Sequence, residues 1–538
     1  MPELSRRRRQ LILAVCCMSL FIVAIDNTIV NVALPSIQAD LHAQVSGLQW
    51  IIDAYMLVLA SLLMLSGSTA DRIGRRRIFQ LGLVLFTIAS GLCSLAPSLG
   101  WLVAFRAAQA VGGSMLNPVA MSIISNTFTD AKERTRAIGV WGAVVGLSMA
   151  AGPVVGGLLV QAVGWRSVFW VNIPIGAAAV VLTALFVPES KAARARRADP
   201  VGQALVIVVL ASLTYAIIEG PGRGWASPLI LGLFAAAVLA VIGLVRYEGR
   251  REEPLIDLRF FNSIPFSGAT VVAVCAFFSL AGFLFINTLY LQDVRGFSAM
   301  KAGLMTLPMA AMTAVFPRVS ARLVAERGSR VPLLASGILI TVSGLLFLGM
   351  SNTMSLVYLG VLYAVFGIGF GLVNAPITNT AVSGMPRSQS GVAAAVASTS
   401  RQVGQALGVA LIGTVAVAQV HGSMREGFSA ASHAGWAIVA GCGVIVALFG
   451  ILTTTQRAKA SAEHAAALFP EFPESPESVQ TPVAPADSGR QNDHSESVAA
   501  RPANGTSGTD TVPDAAPEDG RPVTARMGAD GVPDTTTR

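Results

Sequence analysis

The sequence predicts an all-α integral membrane protein with fourteen transmembrane helices, and three observations support this fold class. Only 13% of the 538 residues are charged and 53% are hydrophobic, whereas soluble domains are typically about 25% charged. Apolar segments of about 20 residues recur along the chain, and each is long enough to cross a bilayer as a helix. Lysine and arginine are concentrated in the short connections on one side of the predicted bundle.

The predicted helices follow one another with short polar connections. They occupy residues 11–35, 47–67, 78–96, 101–122, 137–159, 168–187, 201–218, 228–245, 266–291, 302–320, 331–349, 355–375, 391–417 and 434–454. With this even number of crossings, one side holds most of the basic residues and the other holds only Arg166, Arg223, Arg295, Lys301 and Arg425. Because basic loops stay in the cytoplasm, we expect a multi-pass protein of the cell membrane with both termini cytoplasmic. This topology also explains the net charge of +8, so no nucleic-acid partner is expected.

Two cytoplasmic connections resemble each other and suggest two related halves. The connection after the second helix runs GSTADRIGRRR from Gly67, and the one after the tenth runs AERGSR from Ala325, with an acid, arginine, glycine and arginine in the same order. Two related halves around a midplane site are common in transporters. We therefore expect four regions: an N-terminal six-helix half at 1–190, an inserted helix pair with flanking loops at 191–262, a C-terminal six-helix half at 263–456, and a disordered cytoplasmic tail at 457–538.

A carboxylate lies in the outer part of the first predicted helix. Asp26 is followed by Asn27 and Asn31, which are four residues apart and share a helix face about 100° from Asp26. A carboxylate inside hydrocarbon costs about 2.5–3.5 kcal/mol on insertion scales and is a functional candidate by default. Asp26 is predicted to bind a proton or cation; the alternative is that it only hydrogen-bonds a neighbouring helix.

The fourth helix contains an arginine that needs a partner. Arg106, Gln109 and Gly113 are spaced at i, i+3 and i+7 and form one stripe. An arginine that approaches Asp26 and withdraws changes how readily the carboxyl takes a proton, which would couple proton binding to movement. A static ion pair is the alternative. Asp53, near the outer end of the second helix, is a second protonation site, a vestibule residue that attracts cations, or a solvated helix end.

Other polar groups inside the spans are candidates for a substrate cavity. Arg401 and Gln405 would meet an anionic or phenolic substrate, or brace the preceding helix. The candidate cavity residues are Asn27, Asn31, Gln109, Asn287, Tyr290, Asn374, Arg401 and Gln405.

Small residues crowd the fifth predicted helix. Their spacing permits another helix to approach closely, and the proline bends the helix and removes one hydrogen-bond donor. The residues that define this stretch are Gly146, Gly152, Pro153, Gly156 and Gly157.

Several functional classes are not supported by the sequence. There is no Gly-x-x-x-x-Gly-Lys-Ser/Thr loop, so ATP is not expected to drive the protein. The five cysteines lack metal-ligand spacing, so no metal is expected, and no nucleophile, base and orienting acid can be assembled into an enzyme site. None of the five histidines lies within a predicted span, which leaves the carboxylates as proton carriers.

At these motifs the chain resembles the major facilitator superfamily. The stretch around Arg106 is similar to the superfamily's fourth-helix signature, with Ala110 where glycine is usual, and the stretch from Gly152 to Gly157 resembles the fifth-helix motif of its antiporters. The loop after the second helix resembles the superfamily's loop signature, which is a charge-relay latch across the cytoplasmic face. Its residues here are Gly67, Asp71, Arg72, Gly74, Arg75 and Arg76.

Further matches resemble the fourteen-helix drug:proton antiporters of this superfamily, including exporters from antibiotic-producing actinomycetes. They are Asp26–Pro35, Trp165-Arg166 with Asn172-Ile173-Pro174, Asp199–Gly202 and Arg401–Gln405. The resemblance implies a monomeric antiporter with protons as coupling ion and no other cofactor. It would export a hydrophobic, aromatic polyketide-type antibiotic, with tetracenomycin C as one candidate. An exporter of amino acids, sugars or siderophores, and a non-transporting membrane sensor, remain open.

Overall fold

The computed structural model of the protein describes residues 5–191, 199–251, 254, 257–383, 385, 390–420 and 422–469. These residues form helices joined by short connections, and no strand occurs among them. The α-helices are α1 (Arg6–Leu41), α2 (Val45–Ile73), α3 (Arg75–Ser94), α4 (Leu99–Thr127), α5 (Ala131–Ala162), α6 (Ser167–Trp170), α7 (Asn172–Phe186), α8 (Pro200–Arg223), α9 (Pro228–Glu248), α10 (Ile264–Leu289), α11 (Ala299–Met305), α12 (Leu307–Arg327), α13 (Arg330–Phe347), α14 (Leu356–Val382), α15 (Ser390–Ala418), α16 (Met424–Leu452) and α17 (Gln456–Ala467).

The predicted all-α membrane class is confirmed. Within the described part of the chain, thirteen helical segments are long and apolar enough to cross a bilayer. Helix α4 is 29 residues long but is not among them, because Arg106, Gln109 and several small residues lower its hydropathy. The count of fourteen transmembrane helices therefore remains a prediction.

The helices pack as two groups with a pair between them. Helices α1–α7, here the first group, pack mainly on one another, and so do helices α10–α16, the second group. The two groups meet where α2 contacts α15, where α5 contacts α11 and α12, and where α1 contacts α10. Helices α8 and α9 pack together, and α8 also contacts α2 and α15. The region limits predicted from the sequence remain a prediction.

Two glycines end corresponding helices of the two groups. Gly74 lies between α2 and α3 with φ of 136°, and Gly328 lies between α12 and α13 with φ of 74°. Residues with a side chain rarely adopt such angles, so glycine lets the chain reverse sharply at both places. These are the two connections whose sequences resemble each other.

The predicted disordered tail is wrong for its first residues. Helix α17 begins where the side chain of Thr455 accepts a hydrogen bond from the N–H of Ala458. The helix buries alanines at helical spacing, and Phe469 beyond it stacks on Phe260, with ring centroids 5.0 Å apart. Composition alone hid this helix, because its buried face consists of alanines and a segment with few large apolar residues resembles a disordered one. The remainder of the predicted tail lies outside the described residues.

Candidate functional site

The carboxylate of Asp26 lies at the centre of a buried polar cluster formed by three helices. Its side chain is fully buried on α1. Arg106 of α4 places Nη1 2.5 Å from Oδ2. Gln109 donates from Nε2 to Oδ1 at 2.9 Å, and Asn172 at the start of α7 donates from Nδ2 to the same oxygen at 3.0 Å. The carboxylate thus receives hydrogen bonds from three side chains.

Arg106 is held by more than its ion pair. The side chain is 1% exposed, and its Nε donates to the main-chain oxygen of Ile51 at 3.2 Å. Nη1 also donates to Oε1 of Gln109 at 2.7 Å, and the guanidinium lies 4.2 Å from the ring centroid of Tyr55. A buried charge that is paired and hydrogen-bonded is tolerated, whereas an unpaired one is costly. Protonation of Asp26 would cancel one member of the pair and favour another arrangement.

The structure brings together some of the predicted residues and adds one that was missed. Asp26 and Arg106 are in contact, and their role in proton coupling remains a prediction. Gln109 was predicted to line a substrate cavity, but it is fully buried and bonded within the cluster. Asn172 was noticed only as part of a family signature. Its signal was an amide at the start of an apolar segment, where a polar side chain needs a partner.

Asp53 is buried elsewhere on α2. Neither carboxylate oxygen has a hydrogen-bond partner among the residues that the structure describes. The side chain is fully buried, so the interpretation as a solvated helix end is wrong for this state. Near Asp26, Nδ2 of Asn31 donates to the main-chain oxygen of Asn27 at 2.9 Å, and Oδ1 of Asn27 is buried without a described partner.

Asn287 of α10 and Tyr290 of the π-helical turn Tyr290–Val294 were predicted to line the cavity. Both form hydrogen bonds within the second group. Oδ1 of Asn287 accepts from the hydroxyl of Tyr363 at 2.7 Å. The hydroxyl of Tyr290 donates to the main-chain oxygen of Ser351 at 2.7 Å. Both side chains are buried, at 1% and 0% exposure, so in this state they serve packing rather than line an open cavity.

The remaining cavity candidates lie on α14 and α15. Nη2 of Arg401 donates to Oγ1 of Thr378 at 2.7 Å, so this arginine braces the preceding helix. Its Nε and Oε1 of Gln405 are buried without a partner among the described residues, which leaves both able to bind a ligand. Asn374 is half-buried on α14.

The predicted latch forms ion pairs within the first group. Nη2 of Arg75 lies 2.8 Å from Oδ1 of Asp71, and Oε1 of Glu189 accepts from the N–H of Arg76 at 3.1 Å. Glu189, which follows the sixth span, was not among the predicted latch residues. Arg72 is exposed. The ion pairs that this loop makes among the described residues do not cross to the second group, so closure of this face by the loop remains a prediction.

The glycines of α5 allow close contact with other helices. A Cβ on Gly157 would lie 2.7 Å from Cα of Met300 in α11. The other glycines face α1 and α12: a Cβ would lie 2.8 Å from Cβ of Thr28 at Gly152, 2.7 Å from Cγ1 of Ile29 at Gly156, and 3.2 Å from Cα of Ala314 at Gly146. Pro153 approaches Gly303 of α11 through its carbonyl. Whether this stretch bends during function remains a prediction.

The prediction that no histidine lies within a span is wrong for one residue. Helix α16 begins at Met424, ten residues before the predicted span, and it includes His433. Nε2 of His433 lies 3.3 Å from the main-chain oxygen of Met350. The error arose because polar residues precede the apolar part of the helix.

An apolar cavity of about 250 Å³ lies beside the α8–α9 pair. It is bounded by α2, α10 and α15, and its lining includes Val206, Leu210, Val274 and Val403.

Comparisons with known proteins agree with this architecture. Residues 16–409 match the family model described as Major Facilitator Superfamily. The chain is 38% identical to "Multidrug resistance protein Stp" of Mycobacterium tuberculosis, over 78% of each chain. It is 38% identical to "Tetracenomycin C resistance and export protein" of Streptomyces glaucescens over 74% of each chain. It is 36% identical to "Methylenomycin A resistance protein" of Streptomyces coelicolor, over 73% of this chain and 82% of that one.

Among solved structures, similarity extends to the fold alone. A bacterial homologue of the human lysosomal transporter Spinster, in an inward-facing and unoccupied conformation, has a TM-score of 0.56 and 16% identity, and the match covers 86% of this chain and 98% of that one. The human organic anion transporter MFSD10 has a TM-score of 0.55 and 15% identity, covering 81% and 99%.

Proposed function

The chain belongs to the major facilitator superfamily, and from this premise we propose that it exports a hydrophobic, aromatic antibiotic across the cytoplasmic membrane in exchange for protons, which confers resistance. The observation that carries the proposal is the buried Asp26–Arg106 pair, because a titratable group inside the membrane is the simplest coupling device for a proton. The names of three relatives, which refer to multidrug, tetracenomycin C and methylenomycin A resistance, support export of such compounds.

The mechanism follows from the charge on Asp26. With the basic ends of the helices in the cytoplasm, substrate enters between the groups while Asp26 is paired with Arg106, the contact that this structure contains. After the bundle opens outward, Asp26 takes a proton on a carboxylate oxygen, and its attraction for Arg106 falls as the substrate leaves. Return to the inward state releases the proton. Each unit of pH difference across the membrane supplies about 1.4 kcal/mol.

We further propose where the substrate binds and how the protein is assembled. The apolar cavity beside α8 suits a hydrophobic molecule. The unsatisfied groups of Arg401 and Gln405, which are not among its lining residues, suit a phenolic or anionic edge. Asp53 is a second candidate for proton binding, and the loop around Asp71 latches the cytoplasmic face in the outward state. We propose a monomer that needs neither ATP nor a cofactor other than protons and performs no enzymatic reaction.

The test uses everted vesicles loaded with acid. Addition of tetracenomycin C or another aromatic antibiotic should release protons from vesicles that contain the chain, and the Asp26→Asn variant should release none above background. Asp40→Asn is the matched control, because Asp40 is exposed and pairs with Arg166 at the surface. Failure of every antibiotic in a broad panel, with the protein folded and inserted, would contradict the proposal.

A further inference from the structure

At the end of the bundle away from the basic loops, a glutamine of the first group reaches the main chain of the second group. Gln49 of α2 is 2% exposed. Its Nε2 lies 3.1 Å from the main-chain oxygen of Val409 and 3.0 Å from that of Ala410, both in α15. The same nitrogen lies 3.3 Å from Oγ1 of Thr414. One amide therefore joins two helices that are about 360 residues apart in the chain.

A second glutamine makes the reciprocal contact. Gln292 belongs to the π-helical turn Tyr290–Val294 that follows α10. Its Nε2 donates to the main-chain oxygen of Val32 in α1 at 2.9 Å. Each helix group thus contributes one glutamine that donates to the backbone of the other group. Such turns inside helices often occur at functional sites because they redirect side chains.

The place where Gln49 docks is fitted to its side chain. A Cβ on Gly413 of α15 would lie 2.5 Å from Nε2 of Gln49 and 2.8 Å from Cε1 of Phe285. Any larger residue at this position would expel the amide. The contact therefore depends on a glycine as well as on the glutamine.

Helix α8 of the inserted pair joins this contact. The hydroxyl of Thr414 can accept from Gln49 and donates to the main-chain oxygen of Ile217 in α8 at 3.3 Å. Helix α8 also contacts α2, because Nε1 of Trp50 in α2 donates to Oε1 of Glu219 in α8 at 3.0 Å. Helix α8 is thereby fixed to α2 and α15 at the point where Gln49 bridges them.

We propose that the contacts of Gln49 and Gln292 are releasable latches that hold the two helix groups together at the outer end of the bundle, here called the outer gate. Helix α8 stabilises the Gln49 latch. The inference rests on the proposed alternation between inward and outward states. Uncharged amides suit a contact that must form and break. When the gate opens, each amide can donate to water instead of a backbone carbonyl, and no unpaired charge is left buried. Asp53 lies one turn after Gln49 on the same face of α2, so opening this latch would give its carboxylate access to external water.

The test measures the gate directly. Spin labels are placed at Ser98 and Thr353, exposed residues in connections at this end of the two groups, after the native cysteines are replaced. Gln49→Met and Gln292→Met keep the side-chain length but remove the donors. Each variant should raise the ratio of long to short distances between the two labels about fivefold to tenfold, because it loses one net hydrogen bond or slightly more. In the double variant the two effects should multiply. Thr414→Val should give a smaller shift in the same direction.

Gln161→Met is the matched control, since Gln161 is an exposed glutamine near the same end of α5. It should leave the distances unchanged. Unaltered distances in both latch variants, in protein with normal melting temperature, would overturn the inference; if Gln49→Met does not fold, unaltered distances in Gln292→Met and Thr414→Val would do so. Because the measurement needs no substrate, shifted distances would support the latch even if no antibiotic releases protons.

Discussion

Asn172 and Gln109 donate to the same carboxylate oxygen of Asp26, at 3.0 Å and 2.9 Å. Asn172 also donates to Oγ of Ser90 at 3.1 Å, and that hydroxyl donates to the main-chain oxygen of Phe169 at 2.9 Å. A chain of hydrogen bonds therefore links the carboxylate of Asp26, on α1, to α3, α6 and α7.

Replacement of Asn172 by leucine should destabilise the protein by about 1.5–3 kcal/mol, the value of a hydrogen bond to a charged group. Most of this loss should disappear in an Asp26→Asn background, because the charged acceptor is then absent. Melting temperatures of the four proteins in detergent provide the measurement. Equal losses in both backgrounds would show that Asn172 acts through packing alone.

Removal of Arg106 alone should destabilise the protein more than removal of both Arg106 and the charge of Asp26. Arg106→Gln leaves the fully buried Asp26 without its counter-charge and should cost about 3–5 kcal/mol, whereas the Asp26→Asn, Arg106→Gln double variant should recover part of that loss. Thermal unfolding of the single and double variants compares the two. A double variant less stable than Arg106→Gln would contradict the expectation.

Close contact between α5 and α11 can be tested with a methyl group. Gly157→Ala places a Cβ 2.7 Å from Cα of Met300 and should cost about 1–3 kcal/mol through overpacking. Efflux should fall with it, because this contact joins the two helix groups. Gly139→Ala on the same helix is the control, since no atom lies within 4 Å of its added Cβ. A normal melting temperature and normal efflux for Gly157→Ala would refute the predicted contact.

Docking of α17 should depend on Phe469. This ring is 4% exposed, stacks on Phe260 and lies beneath the guanidinium of Arg259, 4.6 Å from the ring centroid. Phe469→Ala should cost about 2–4 kcal/mol locally, and α17 should open more often. The measurement is the rate of tryptic cleavage after Lys459, which should rise at least about tenfold. Leu468→Ala, at a partly exposed neighbour, should leave the rate unchanged.

The sequence was sufficient to predict the fold class and the partner of Asp26. Few charges lie within the spans, and a buried charge requires an opposite one, so Asp26 and Arg106 were each other's best candidates. The family resemblance then predicted the superfamily, which the comparisons confirm.

The amide contacts could not be predicted in the same way. Gln49, Gln109 and Asn172 are neutral, so each has many acceptable partners, and the actual one depends on how distant helices cross. The burial of Asn287 and Tyr290 could not be predicted for a related reason, because helical spacing identifies a face but not the helix that covers it. Their role in a substrate cavity remains a prediction. Helix α17 was missed because alanine composition does not distinguish a docked helix from a solvated segment.

The opposite charges of Asp26 and Arg106 have an electrical consequence. In this structure the pair contributes no net charge inside the membrane. In the proposed mechanism, proton uptake by Asp26 would leave the guanidinium uncompensated, and the cluster would become a monovalent cation. A voltage that is negative inside then pulls on the cluster with up to about 2.3 kcal/mol per 100 mV, while the unprotonated pair does not respond. In the proposed cycle, the voltage would therefore favour the return of the proton-loaded carrier, through the charge of this cluster.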